Sequence, residues 1–294
     1  MGAFLGLAGA VCWGLADFAA RFSSRRVGAY RTLLYMQFFG CLALTIYLAA
    51  TGGFHRGVHP GWRPWEMAVA AGLVNMVSSL ALYRSFEVGT MSIVAPVSSC
   101  YPALTALLSF ASGERIGAVK SAGLAVVLVG VILAGTSFAR THRGAAGGED
   151  GKIRVTAAKG LLWAILAAVG FGFLFWFLGF YVVPAVGSQV SVWVMRLTAI
   201  AGMFLLAAPA RQSVQLPRGA VWWLLLTVGL MDTAAFVMNN RGLQIGPVSI
   251  VSVLASLYGA VTVVLSWIFL RERLEWSQWL GLAVLFGGIA MVSL

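Results

Sequence analysis

Ten runs of apolar residues, each roughly 20 residues long and so matched to the thickness of a bilayer, constrain this chain more than any motif. They cover 2–21, 32–51, 64–86, 92–111, 117–138, 157–183, 188–209, 219–242, 248–270 and 276–293. Lipid offers no partner to a backbone N–H or C=O, so a spanning segment is either a helix or a strand of a closed barrel. Barrel strands alternate polar and apolar residues, and these runs do not. The pattern predicts an all-α integral membrane protein with ten transmembrane helices.

Composition agrees. Charged residues make up 10% of the chain and hydrophobic ones 60%, whereas a water-facing surface usually needs about 25% charged residues. The net charge of +11 comes from basic residues lying mostly between the apolar runs. They form no phosphate-tracking cluster, zinc-finger spacing or RNA-binding signature, so they read as topogenic charge and imply no nucleic-acid partner. Cys12, Cys41 and Cys100 sit inside apolar runs in no metal or redox spacing and read as packing residues. The N-terminus lacks a basic leader region and an A-x-A-like cleavage site, so its first run reads as a structural helix.

The chain repeats itself. At an offset of 157 residues, Arg84, Gly89, Ser92, Ile93, Val94, Ser99 and Tyr101 recur as Arg241, Gly246, Ser249, Ile250, Val251, Ser256 and Tyr258. One inserted residue later, Glu114-Arg115 faces Glu272-Arg273, and GLAV at 123–126 faces GLAV at 281–284. Near the start, Ala10-Val-Cys-Trp-Gly14 faces Ala168-Val-Gly-Phe-Gly172. The expected organisation is a first five-helix repeat at 1–138, a Gly-rich, charged linker at 139–156 and a second five-helix repeat at 157–294. Five is odd, so the second half enters the membrane from the opposite face. The halves thus form two inverted-topology repeats, which can exchange conformations around a site near the midplane.

On the aromatic-Gly pairs Trp13-Gly14 and Phe171-Gly172, on Gly-x-x-Ser-Ile-Val at 89–94 and 246–251, and on the two Glu-Arg pairs, the chain resembles the ten-helix, EamA-type branch of the drug/metabolite transporter superfamily. The resemblance covers nearly the whole chain. It implies a small-metabolite transporter of the inner (cytoplasmic) membrane, similar to amino-acid and aromatic-amino-acid exporters. It also implies both termini in the cytoplasm. The charge count points the other way, with 14 of the 20 Lys and Arg in loops after odd-numbered helices and 5 after even-numbered ones.

Ionisable residues deep in a span cost about 2.5–3.5 kcal/mol each and are functional candidates by default. Three stand out: Asp17, Arg196 and Asp232. Asp17 and Asp232 are candidates for a substrate ammonium or a driving proton, and Arg196 for a substrate carboxylate or for a buried pair with one of the aspartates. Asn75 aligns with Asp232. Trp13 and Phe171 are candidates for an aromatic lining or for plain helix packing, and Trp163 and Trp176 flank Phe171 on its helix. Ser99, Tyr101, Ser256 and Tyr258 are the polar part of the repeated line. A Ser-x-Tyr spacing turns the two side chains about 200° apart, so one of each pair faces substrate and the other a neighbouring helix. Pro96 and Pro102 suit a kink that frees carbonyls. Asn239 and Asn240 are gate contacts or helix-end hydrogen-bonders, and Arg84 and Arg241 are helix-end cations or gate charges.

No phosphate-binding G-x-x-x-x-G-K-[ST] stretch occurs, and His55, His59 and His142 all fall in loops. No cofactor, metal site or catalytic group is expected. The leading reading is a secondary active or facilitative carrier with a monomeric core, its partners being the lipid bilayer, a small substrate and candidate coupling protons. It exports small metabolites, chiefly aromatic or apolar amino acids. Carriage of sugars, nucleotide-sugars or drug-like solutes is the alternative. An intramembrane enzyme using Asp17 and Asp232 as a dyad lacks a supporting motif.

Overall fold

The computed structural model describes residues 1–55, 61–89, 91–144 and 150–270, with scattered residues between 276 and 291. Among them the chain is helical, with no strand. The helices are α1 (Gly2–Val27), α2 (Ala29–Thr51), α3 (Arg63–Val88), α4 (Met91–Ser98), α5 (Tyr101–Ala111), α6 (Ala118–Gly144), α7 (Asp150–Phe177), α8 (Val183–Val186), α9 (Ser188–Ala207), α10 (Val221–Ile245), α11 (Val248–Ala255) and α12 (Tyr258–Leu270). Seven spans are long and apolar enough to cross a membrane among the described residues, and Tyr101–Ala111 and Ala118–Gly130 are shorter apolar helices. The expected run at 276–293 and the Glu272-Arg273 pair fall largely outside the described residues. Helical backbone continues through 139–144 and 150–156 of the expected linker.

Two of the expected spans are not single helices. The run at 92–111 breaks at Ser99-Cys100, and the run at 248–270 breaks at Ser256-Leu257, the same place in both copies of the repeated line. In the first copy Pro102 enters the opening turn of α5, where a missing N–H is harmless and a preset φ helps a helix restart. The second copy breaks without a proline. A π-helical stretch, Leu178–Val182, joins α7 to α8 ahead of Pro184. Proline withholds a donor from the ladder, and widening the turn is one response. Two helix junctions share a left-handed glycine: Gly28 (φ 87°) between α1 and α2, and Gly187 (φ 88°) between α8 and α9. Side-chain-bearing residues rarely adopt that angle.

Packing runs across the chain. Helix α1 lies against α10 in opposite directions, Gly2 touching Gly242 and Gly246 while Gly9 touches Ala235 and Asn239. Helix α3 lies likewise against α7, with Gly160 against Gly89 and Gly170 against Ser78. Small residues let membrane helices approach until backbones touch, which is how van der Waals contact holds them without a hydrophobic drive. The aromatic-Gly pairs obey the same reciprocity. A Cβ at Gly14 meets Val261 Cγ1 at 2.5 Å and the Tyr258 carbonyl at 3.2 Å; a Cβ at Gly172 meets Leu104 Cβ at 2.8 Å and the Tyr101 carbonyl at 2.9 Å. Thr105 Oγ1 donates to the Gly172 carbonyl at 2.9 Å and Thr262 Oγ1 to the Gly14 carbonyl at 3.4 Å.

These contacts have a cost when overfilled, of about 1–3 kcal/mol per inserted group. Gly14→Ala is expected to lower the thermal unfolding midpoint in detergent, and Gly14→Ala with Val261→Gly, which removes the Cβ that would lie 2.6 Å away, to recover part of the loss. A double variant no more stable than the single one contradicts the contact.

Candidate functional site

A partly open cavity lies among α1, α3, α7 and α10. Helix α1 contributes Trp13 and Asp17, one turn apart, and α10 contributes Asp232 and Phe236 at the same spacing. Helix α7 gives Phe171 and Phe175, while α3 gives Ser79, Leu82 and Tyr83. Tyr101 and Tyr258 complete the wall from the first residues of α5 and α12, just past the two helix breaks.

The rings pack as a continuous belt. Trp13 meets Phe236 edge-on at 5.0 Å and Phe175 at 5.5 Å, and Tyr101 meets Phe175 at 4.9 Å. Tyr101 and Tyr258 stack at 6.4 Å with their planes 14° apart. Their hydroxyls clasp across the repeated lines: Tyr101 donates to the Ser252 carbonyl of α11, and Tyr258 to Ser98 Oγ of α4, both at 3.0 Å. A buried phenol finds a partner or loses its hydrogen bond outright, so each break in one copy is held by the tyrosine of the other.

The charges sort unequally. Arg196 on α9 is 1% exposed and lies behind the wall. Its Nη2 pairs with Asp232 Oδ2, its Nη1 donates to Gln37 Oε1 and to Met36 Sδ on α2, and its guanidinium sits 5.3 Å from the Phe236 ring centroid. The second Asp232 oxygen accepts from Trp13 Nε1 at 3.0 Å. One carboxylate therefore ties α1, α9 and α10 together, and Gln37 adds α2. Desolvating such a pair is expensive, but removing one partner is worse, because the other charge is left buried alone. Asp17, 5% exposed in the same cavity, makes no hydrogen bond among the described residues.

Of the residues singled out from sequence, Trp13, Asp17, Tyr101, Phe171, Asp232 and Tyr258 meet in the cavity. The others lie elsewhere. Ser99 and Ser256 bond their own helices, at the Ala95 and Val253 carbonyls, which leaves the tyrosines facing inward. Asn75 is buried with Oδ1 unpaired, and Asn239 is buried with neither amide atom paired among the described residues. Asn240 donates to Ser191 Oγ at 3.1 Å. Trp163 is exposed and Trp176 donates to Ser112 Oγ at 2.8 Å. Arg84 pairs with Glu87 and Arg241 bonds Gln244, each within its own helix end. Glu114 caps α11 by accepting from the Ser249 N–H at 3.1 Å, a carboxylate at the positive end of a helix.

Sequence reasoning passed over Ser79, Leu82, Tyr83, Phe175, Phe236 and Gln37. Phe175 and Phe236 each sit four residues after a flagged position, on the same helix face. Gln37 is a lone amide inside an apolar run, the kind of residue membrane interiors hold for a partner. Nothing in the sequence marks Leu82.

Arg196→Met and Asp232→Asn are each expected to lower stability in detergent by about 3–5 kcal/mol, because each leaves a buried group unpaired. The double variant should lose clearly less than the sum of the two. Strict additivity in thermal or denaturant unfolding contradicts the pairing.

The EamA-like transporter family matches residues 1–136 and 158–294. A solved structure described as "Crystal structure of protein" superposes with a TM-score of 0.77 at 19% identity, covering 99% of this chain and 95% of its own. At that identity the likeness is one of fold. No curated protein matches the chain. The family match runs through every helix that walls the cavity, and on it the chain is a multi-pass membrane protein of the EamA-like transporter family, within the drug/metabolite transporter superfamily.

Proposed function

We propose that the protein is a secondary carrier of small metabolites, chiefly an exporter, that works by alternating access between two inverted five-helix repeats. The reading rests on one observation above all: the cavity is walled by Trp13 and Phe171, by Tyr101 and Tyr258, residues paired by the 157–158 offset. A site built from equivalent positions of two oppositely directed halves can open toward one face or the other at little difference in energy. The helix breaks beside Tyr101 and Tyr258 belong to the same architecture, since irregular backbone at membrane depth is tolerated where it borders a cavity.

The lining suits solutes with an aromatic or apolar body and an amine, amino acids with such side chains among them. Asp17 is the group available to an ammonium or to a coupling proton. Sugar phosphates and nucleotide-sugars fit poorly, because no cation lines the cavity among the described residues and Arg196 is committed to Asp232 and Gln37. We place the protein in the cytoplasmic membrane.

Counterflow in proteoliposomes tests the reading. Exchange of at least one aromatic or apolar amine-bearing metabolite is expected, with Phe175→Ala lowering its rate about tenfold through lost ring contact of 1–1.5 kcal/mol. Asp17→Asn should abolish stimulation by an imposed pH gradient. Failure of every member of an amino-acid and amine panel to exchange overturns carriage of this solute class.

A further inference from the structure

The polar groups around the cavity are mostly spent on one another. Asp232 is held by Arg196 and Trp13, Tyr101 by the Ser252 carbonyl and Tyr258 by Ser98. Three lining groups make no hydrogen bond among the described residues: the Asp17 carboxylate and the Ser79 and Tyr83 hydroxyls. They share one end of the cavity. Asp17 lies one turn beyond Trp13 toward the end of α1, and Ser79 and Tyr83 lie in the later half of α3. The ends of α1 and α3 are neighbours, since Arg25 near the end of α1 donates to the carbonyl of Gly89 at the end of α3.

The charge balance of this end is one-sided. Arg196 is buried behind Phe236 and Asp232 and does not line the space. A carboxylate unpaired at this depth is costly to keep charged, and an organic cation set against it relieves that cost. Aromatic rings add to the attraction, because their faces carry negative potential that a nearby ammonium meets. A carboxylate on the substrate has the opposite balance. It would enter a space that already holds Asp17 and, among the described residues, is lined by no cation.

From this the geometry points to a site for an aromatic or apolar organic monocation that carries no carboxylate. Its nitrogen faces Asp17, with Ser79 and Tyr83 as hydroxyl neighbours, and its body lies among Trp13, Phe175 and Phe236. The inference rests on the transport reading above and narrows it from amino acids to amines. The amine's affinity comes from the Asp17 carboxylate, so a zwitterion of the same body binds more weakly.

Calorimetric titration of the full-length protein in detergent decides this, with three probes sharing one ring system: tryptamine, tryptophan and indole-3-propionate. Tryptamine is expected to bind at least about tenfold tighter than tryptophan, as one charge-assisted contact implies, and indole-3-propionate not at all. Asp17→Asn should weaken tryptamine by about tenfold or more, while Asp17→Glu retains most of the affinity. The comparison among the three probes on the unaltered protein stands even where Asp17→Asn fails to fold. Tryptophan binding as tightly as tryptamine, binding of indole-3-propionate, no binding of tryptamine, or an unchanged affinity in Asp17→Asn each overturns the inference. Binding of tryptamine without any counterflow upholds the site and removes the transport reading; counterflow of amino acids with no preference for amines does the reverse.

Discussion

Everything about this bundle's centre turns on the carboxylate of Asp232. Its two oxygens take Trp13 from α1 and Arg196 from α9, and Arg196 in turn reaches Gln37 and Met36 on α2. Arg196 and Asp232 are both buried, so the charges must satisfy each other, and four helices are fixed by one electrostatic knot. The knot also sets the chemistry. It pairs a cation with an anion and leaves the second carboxylate, Asp17, in the cavity without a hydrogen bond among the described residues.

Around the knot the architecture is reciprocal. Each aromatic-Gly pair is seated on the backbone of the opposite broken span, Gly14 on Tyr258 and Gly172 on Tyr101. Each of those tyrosines reaches across to the other copy of the repeated line. The repeated line therefore does two jobs with different residues. Ser98, Ser99 and Ser256 close hydrogen bonds on their own helices and its glycines admit neighbouring backbones, whereas its tyrosines face the cavity.

The all-helical character was legible because lipid leaves the backbone few choices, so run length and the absence of alternation give helices directly. The breaks were half legible: Pro102 announces the first, and no residue announces its counterpart at Ser256-Leu257. Six of the cavity's residues were visible as charges in apolar runs or as positions in the repeat. Phe175, Phe236 and Tyr83 were not, because an aromatic residue in an apolar helix looks the same facing lipid, core or cavity. Arg196 was visible as a buried charge, but choosing between a substrate anchor and a structural pair needed the position of Asp232 relative to α9. Spacing within one helix carries no such information.

The central claim is that this cavity is reached from both sides of the membrane. It is tested most directly by a cysteine at Ser79, introduced after replacing Cys12, Cys41 and Cys100, and probed with a membrane-impermeant thiol reagent in right-side-out and inside-out vesicles. Alternating access predicts labelling from both faces. Labelling from one face alone, or from neither, contradicts it.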